Sequence, residues 1–261
     1  MRRILLSLCV FLLLPVSALL AESAVETLER GETSLAAEVV DGDTLLLKSG
    51  TKVRLVGIQA PKLPLGRAGF EAWPLAEEAK QALEDLALGQ TLTLYYGGRK
   101  TDRYGRALAH LKREDGLWLQ GALLVAGMAR VYSFRDNRSL IAEMLAEERD
   151  ARAARRGIWA HPYYAVRTPE AVADDVGSFQ LVEGRVMDSA IVRRRGYVNF
   201  GADWESDFTI SIAPRDRKLF GPEGEDILAL KGRIVRVRGW IKSFNGAMIE
   251  ATRPEQIEVF E

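Results

Sequence analysis

Asp41-Gly42-Asp43 sets two carboxylates on either side of a glycine, with Thr44 directly after them. A glycine there allows a tight turn that aims one carboxylate into a site, and such a turn is also ordinary punctuation between strands. Basic side chains follow: Arg54, Lys62, and the run Gly98-Arg99-Lys100-Thr101-Asp102-Arg103 leading to Arg106. With Tyr95, Tyr96 and Tyr104 close by, that run either joins phosphate contacts to base stacking or is a solvated hairpin. Arg193-Arg194-Arg195 is a second basic spot, offset by Asp203, Glu205 and Asp207, with Trp204 among them as a stacking platform or a partner contact. His110 and His161 lack metal-ligand spacing with each other or with a cysteine. A strand-turn-helix Gly-x-Ser-x-Gly and a phosphate-cradling glycine loop are both absent.

The elements that must position these residues are mostly strands. Ala37 to Val40, Thr44 to Leu47 and Val53 to Val56 read as a meander, with Lys48-Ser49-Gly50 as a hairpin turn. Thr91 to Tyr96 and Ala107 to Lys112 supply two more strands. Leu75 to Leu86 has helical periodicity, with Leu75, Ala79, Ala82, Leu83 and Leu86 on one face. Leu119 to Met128 and Ser139 to Arg155 are the other helices. Five strands and three helices in that order predict an OB-type barrel over 35–160. Residues 22–34 are polar and read as a loose lead-in, and 161–177, with Pro162 and Pro169, as a linker. Short alternating strands over 178–261 predict a second, smaller β-barrel of OB-like form; an open sheet packed on the first domain is the alternative. The fold class expected is therefore mainly β with helices (α+β).

Composition narrows the reading. The chain has 36 basic and 36 acidic residues, which is not the bulk signature of a protein that coats nucleic acid. Any such contact must come from local patches. Arg2 and Arg3, the apolar run Ile4 to Leu14, Pro15 and the small residues Val16-Ser17-Ala18 read as a signal peptide over 1–21, cleaved after Ala18 or Ala21. The expectation is export, periplasmic or secreted, with no membrane span left after cleavage. Cys9 lies within that signal, so the mature chain is expected to carry no disulfide or thiol chemistry.

Val40-Asp41-Gly42-Asp43-Thr44, Arg54-Leu55-Val56-Gly57-Ile58-Gln59-Ala60-Pro61-Lys62 and Thr101-Asp102-Arg103-Tyr104-Gly105-Arg106 together resemble the staphylococcal nuclease family. The resemblance runs from Leu35 to Trp159 and takes in Glu148, Ala151, Arg152 and Gly157-Ile158-Trp159. It implies a calcium-dependent endonuclease of DNA and RNA on an OB-type barrel. That site uses two aspartates for the metal, a glutamate as general base and two arginines on the phosphate. Carried over, Asp43 matches the first metal aspartate, and Arg54 and Arg106 the phosphate arginines. The second metal aspartate falls on Gln59, the following threonine on Ala60 and the general base on Lys62. Tyr132 and Phe134 fall near the family's base-contacting aromatics, with different spacing.

These replacements change the electrostatics. Three carboxylates against two arginines invite a divalent cation, whereas Asp43 against Arg54, Arg106 and Lys62 leaves a surplus of positive charge. Calcium takes several oxygen ligands. Asp43, with Gln59 as a neutral second donor, is a poor set, so no cofactor is expected despite the family's calcium. Lysine is protonated near neutral pH unless burial lowers its pKa, and Lys62 suits phosphate holding better than water activation. The expectation is a nuclease-fold protein that binds nucleic acid or another phosphodiester, with calcium-dependent hydrolysis impaired by Gln59 and Lys62. The ligand-binding candidates are Arg99, Lys100, Arg103, Tyr132, Arg193, Arg194 and Arg195. The alternatives are a working endonuclease with a rebuilt site, in which Glu71 swings in, and a non-catalytic envelope module that meets a protein partner through its C-terminal domain.

Overall fold

The computed structural model describes residues 24–224 and 226–260. The expected signal segment, 1–21, lies outside the described residues. Five strands close the first barrel: β1 (Glu29–Asp41), β2 (Thr44–Leu47), β3 (Lys52–Leu55), β5 (Thr91–Tyr96) and β6 (Ala107–Arg113), in the order β1-β2-β3-β6-β5. Alternation of apolar and polar residues drives this closure. Leu45, Leu47, Val53, Leu55, Leu92, Leu94, Ala109 and Leu111 all point inward and are buried. The β3–β6 pair is parallel and sets Arg54 opposite both Thr44 and Leu108, at the middle of the sheet.

Three helices cover the barrel: α1 (Ala76–Ala87), α2 (Leu119–Val125) and α3 (Ile141–Ala153). In α1 the buried residues are Ala76, Ala79, Leu83 and Ala87, one face of a 3.6-residue period. Two short strands, β4 (Ile58–Gln59) and β7 (Arg130–Val131), pair with each other beside the barrel mouth.

Of the polar stretch 22–34, the described residues 24–34 are not a loose lead-in. β1 already begins at Glu29, and its first half pairs with β5 from Glu29↔Tyr96 to Leu35↔Thr91. Its residues are polar because this half lies on the barrel's outside, where Lys100 meets Glu29 at 2.5 Å. Residues 161–177 are likewise more ordered than a linker. Tyr164 is buried and its hydroxyl donates to Pro74 O at 2.7 Å, and Arg167 N donates to Leu181 O at 2.8 Å.

The second unit contains β8 (Phe179–Arg185), β9 (Asp188–Val192), β10 (Arg195–Asn199), β11 (Thr209–Ile212), β12 (Ile234–Ser243), β13 (Ala247–Glu250) and β14 (Ile257–Phe260). Its sheet runs β14-β12-β13-β11-β10-β9, and β8 pairs with β12. Only Val186 and Met187 separate β8 from β9, so the sheet curls back on itself. Its pairing repeats that of the first barrel: β8–β9 takes the place of β1, and β11–β13 is the parallel pair. Val198, Ile210, Ile212, Val235, Val237 and Ile249 form its core.

A third apolar cluster, with Ala151, Ile158 and Trp159 from the first unit and Phe179 and Leu181 from the second, joins the two. Beside it, Arg238 of β12 is 2% exposed and donates to Glu148 of α3 at 2.9 and 3.0 Å and to Glu258 of β14 at 2.7 Å. Burial disfavours charge on both Arg238 and Glu148. Their mutual attraction prevails, raising the arginine's pKa and lowering the glutamate's. Among the described residues no helix is long and apolar enough to cross a membrane.

Candidate functional site

The turn from β1 into β2 presses against α1. A Cβ on Gly42 would lie 2.7 Å from Ala60 Cβ and 2.9 Å from Ala79 Cβ, so a side chain there would push the turn away. This packing seats Asp43, which is wholly buried. Its Oδ2 accepts from the Ala60 amide at 2.8 Å and lies 3.3 Å from Arg54 Nη2. Lys62 Nζ donates to both Asp43 oxygens, at 2.7 and 2.5 Å. Burial pulls the Asp43 pKa upward, but Arg54, Lys62 and the Ala60 amide hold it at about 2. Asp41 accepts from the Asp43 amide at 3.1 Å and stands 3.7 Å from Lys62 Nζ. Burial, and then the charge on Asp43, raise its pKa. Lys62 thus bridges two carboxylates of one turn.

Arg54 is fixed by backbone carbonyls. Its Nη2 donates to Ile58 O at 2.6 Å, and Nη1 donates to Leu55 O. Arg106 is fixed by Asp102, whose Oδ2 accepts from its Nε at 2.8 Å and lies 2.7 Å from its Nη2. Asp102 Oδ1 also accepts the Tyr104 and Arg106 amides at 2.8 and 3.0 Å, which closes the turn that carries both residues. Burial acts to raise the Asp102 pKa, but these bonds and the arginine's charge leave it lowered. Arg54 and Arg106 line one cleft of about 310 Å³, together with Arg99, Arg103, Tyr104 and Phe134. Tyr104 is 68% exposed, with the guanidinium of Arg103 4.7 Å from its ring centre. An open aromatic face among arginines suits a phosphate with a planar group attached.

The remaining candidates divide. Arg99 and Arg103 belong to this cleft. Lys100 does not line it, because its Nζ is drawn to Glu29 and to the ring of Tyr96. Tyr132 is also outside it: its hydroxyl accepts from Trp240 Nε1 at 2.9 Å and its ring packs on Phe134 and Phe179, at the junction of the two units. Of Tyr132 and Phe134, only Phe134 lines the cleft. Gln59 is engaged by Arg130: its Oε1 accepts from Arg130 Nε and Nη2 at 3.0 and 2.8 Å.

Arg130 is buried against Trp73, Tyr164 and Phe179, and burial lowers its pKa to about 10. Arg193 and Arg194 form the β9–β10 turn, with φ of 48° and 70°. Arg195 lies 3.7 Å from Glu250, and its Nη1 donates to Ser211 Oγ at 3.4 Å. All three are on the second unit and outside the Arg54–Arg106 cleft. Glu71 is an exposed loop residue. His110 is buried, which lowers its pKa to about 3, and His161 Nδ1 accepts from the Tyr163 amide. Among the described residues no three His, Cys, Asp or Glu side chains gather as a metal-binding group.

Two residues important to this geometry escaped the sequence reading. Asp102 carried a legible signal, because Asp followed three residues later by Gly marks a turn. Arg130 carried none: it meets Gln59 across a two-residue strand pair, 71 positions away.

A family model described as staphylococcal nuclease homologue matches residues 52–161, a span that includes Arg54, Gln59, Lys62 and Arg106. The chain is 34% identical over 119 residues to a probable staphylococcal-like nuclease of Oryza sativa subsp. japonica, covering 46% of this chain and 31% of that protein. It is 31% identical over 125 residues to an uncharacterized endonuclease of Escherichia coli O157:H7, covering 47% of this chain and 73% of that one. It is 27% identical over 133 residues to a thermonuclease of Staphylococcus intermedius, covering 50% and 77%. A closed five-stranded barrel with three helices, a buried aspartate at its first turn and two arginines in one cleft accompany these matches. The chain belongs to the staphylococcal nuclease family.

Proposed function

We propose that this nuclease-like protein binds nucleic acid, or another phosphodiester, in the Arg54–Arg106 cleft, with calcium-dependent hydrolysis impaired at Gln59 and Lys62. The observation that carries this reading is Lys62 Nζ at 2.7 and 2.5 Å from the two oxygens of Asp43. A tethered cation sits on the carboxylate that the family gives to its metal.

The calcium ion implied by the family does not fit the donors present. Calcium takes six to eight oxygen ligands. Both Asp43 oxygens already accept from Lys62, one of them also from Ala60 N, and the Gln59 carbonyl is turned to Arg130. Arg54 and Arg106 retain what a phosphate needs: two guanidinium groups, each fixed by hydrogen bonds, lining one cleft. Tyr104 and Phe134 add aromatic surface for a base. The reading includes export, on the strength of Arg2, Arg3 and the apolar run after them.

Fluorescence anisotropy with labelled single-stranded DNA and RNA, in chelator, tests the proposal. Saturable binding is expected that weakens with salt, with a slope of about −0.7 per phosphate neutralised. Arg106→Ala is the cleaner variant, because the side chain is partly exposed and bonded only within its own turn. It should weaken binding and flatten the salt slope. No binding at low salt, or binding indifferent to Arg106→Ala, would overturn the reading.

A further inference from the structure

The outer face of the second barrel carries features that the Arg54–Arg106 cleft does not use. Along β10, β11, β13 and β12 the residues Asn199, Thr209, Met248 and Lys242 stand opposite one another in a single row. Tyr197, Asn199, Thr209 and Met248 line a largely apolar cavity of about 380 Å³ with Trp204 and Phe244. Trp204 and Phe244 are each 59% exposed, far more than rings with only a packing role need. Trp204 is held outward by its own loop. Asp207 Oδ2 accepts from the Asp203 amide at 2.7 Å, and Asp203 accepts from Ser206 Oγ at 2.7 Å, so these two carboxylates serve the loop's own bonds.

This face connects to the cleft of the first barrel. Phe134 lines that cleft and also a second hollow between the units, of about 230 Å³, which contains Trp240, Lys242 and Arg253. Lys242 is the cross-strand partner of Met248, which lines the apolar cavity. Three hollows therefore follow one another, joined by Phe134 and by the Lys242–Met248 pair. Four arginines face two aspartates in the first hollow, and Arg135, Arg253 and Lys242 face Glu250 in the second. Arg193 and Arg194 stand in the turn after β9, next in sequence to Val192, which lines the apolar cavity. The first two hollows carry a surplus of positive charge and the third, uncharged in its lining, carries exposed rings; phosphates held in the first two with unpaired bases reaching the rings of the third would match this arrangement.

We infer that this face continues the Arg54–Arg106 cleft as a track for single-stranded nucleic acid, with bases stacked on Trp240, Tyr197, Trp204 and Phe244. The inference rests on the proposed reading of the first cleft. It goes further by assigning the second barrel a nucleic-acid surface of its own and by selecting unpaired strands.

Anisotropy of the chain with labelled strands of about 4 and about 12 nucleotides tests it, since an OB barrel holds about 4–16 nucleotides. The longer strand should bind more tightly. Trp204→Ala and Phe244→Ala should each remove about tenfold of its affinity and leave the shorter strand's binding unchanged. An abasic strand of equal length should compete poorly, and binding of the longer strand should quench tryptophan fluorescence less in Trp204→Phe than in the unaltered chain. Unchanged melting temperatures would show that both alanine variants are folded. Equal affinity for both lengths, full competition by the abasic strand, or indifference to both substitutions, as expected if the face meets a protein, would overturn the inference and leave the first cleft's reading standing. Loss of all binding, the shorter strand included, would remove both.

Discussion

Replacing Lys62 by methionine keeps the side chain's length and removes its charge. Asp43 would then stay buried with the Ala60 amide at 2.8 Å and Arg54 at 3.3 Å, but without its two shortest hydrogen bonds, both from Lys62. A carboxylate held at about 2 against an ordinary 3.8 gains about 2 kcal/mol of stability from its charged partners at neutral pH. Removing one partner of a fully buried pair costs about 3–5 kcal/mol. The Lys62 side chain keeps 19% exposure and Arg54 remains, so the loss should fall at or just below that range, about 2–3 kcal/mol. For a chain of this size that is a fall of about 5–10 °C in melting temperature. Its pH dependence has a fixed sign. A carboxylate with a depressed pKa stabilises the fold fully above its unfolded value and loses that contribution as pH falls through the folded value. The gap between Lys62→Met and the unaltered chain should therefore be widest at pH 7 and narrow between about pH 4 and pH 2. Urea denaturation across that range reads it directly. Equal stability at pH 7, or a gap that does not narrow in acid, would refute the bridging role given to Lys62.

Restoring two carboxylates with Gln59→Asp and Lys62→Glu should raise calcium affinity, seen as a melting temperature that climbs with calcium in the double variant and not in the unaltered chain; no difference would mean the site is misassigned. Arg238→Ala leaves Glu148 buried without its main partner and should cost about 3–5 kcal/mol by chemical denaturation. His110 is neutral in the fold, with its pKa lowered to about 3 by burial, so the unfolded chain binds the extra proton between about pH 6.5 and pH 3. Stability should fall by about 3 kcal/mol as pH drops from 6.5 to 4, and His110→Gln should flatten that part of the profile.

Much of this molecule was legible in its sequence because the barrel depends on local alternation. Thr91 to Tyr96 was read with the bounds the structure gives it, and Leu75 to Leu86 differs from α1 by one residue at each end. The polar half of β1 was not legible, since Glu29 to Ser34 has no continuous buried face and is a strand only because β5 lies beside it. β9 was missed for a similar reason: Asp188 to Val192 has no buried residue and pairs on one side only. At the site, Asp43, Arg54 and Arg106 could be placed from their motifs. Which partner each would choose could not. Lys62 turning inward onto Asp43, and Gln59 engaged by Arg130, are long-range contacts decided by burial and charge.

In the proposed reading a tethered lysine stands on Asp43, at the position the family gives to a metal, and the cleft binds a phosphodiester without cutting it. Incubating the chain with labelled single-stranded DNA, in calcium and in chelator, and measuring both the bound fraction and strand length separates binding from cutting. The account predicts equal, salt-sensitive binding in both conditions and intact strands. Calcium-dependent cleavage that disappears in Asp43→Ala would contradict it.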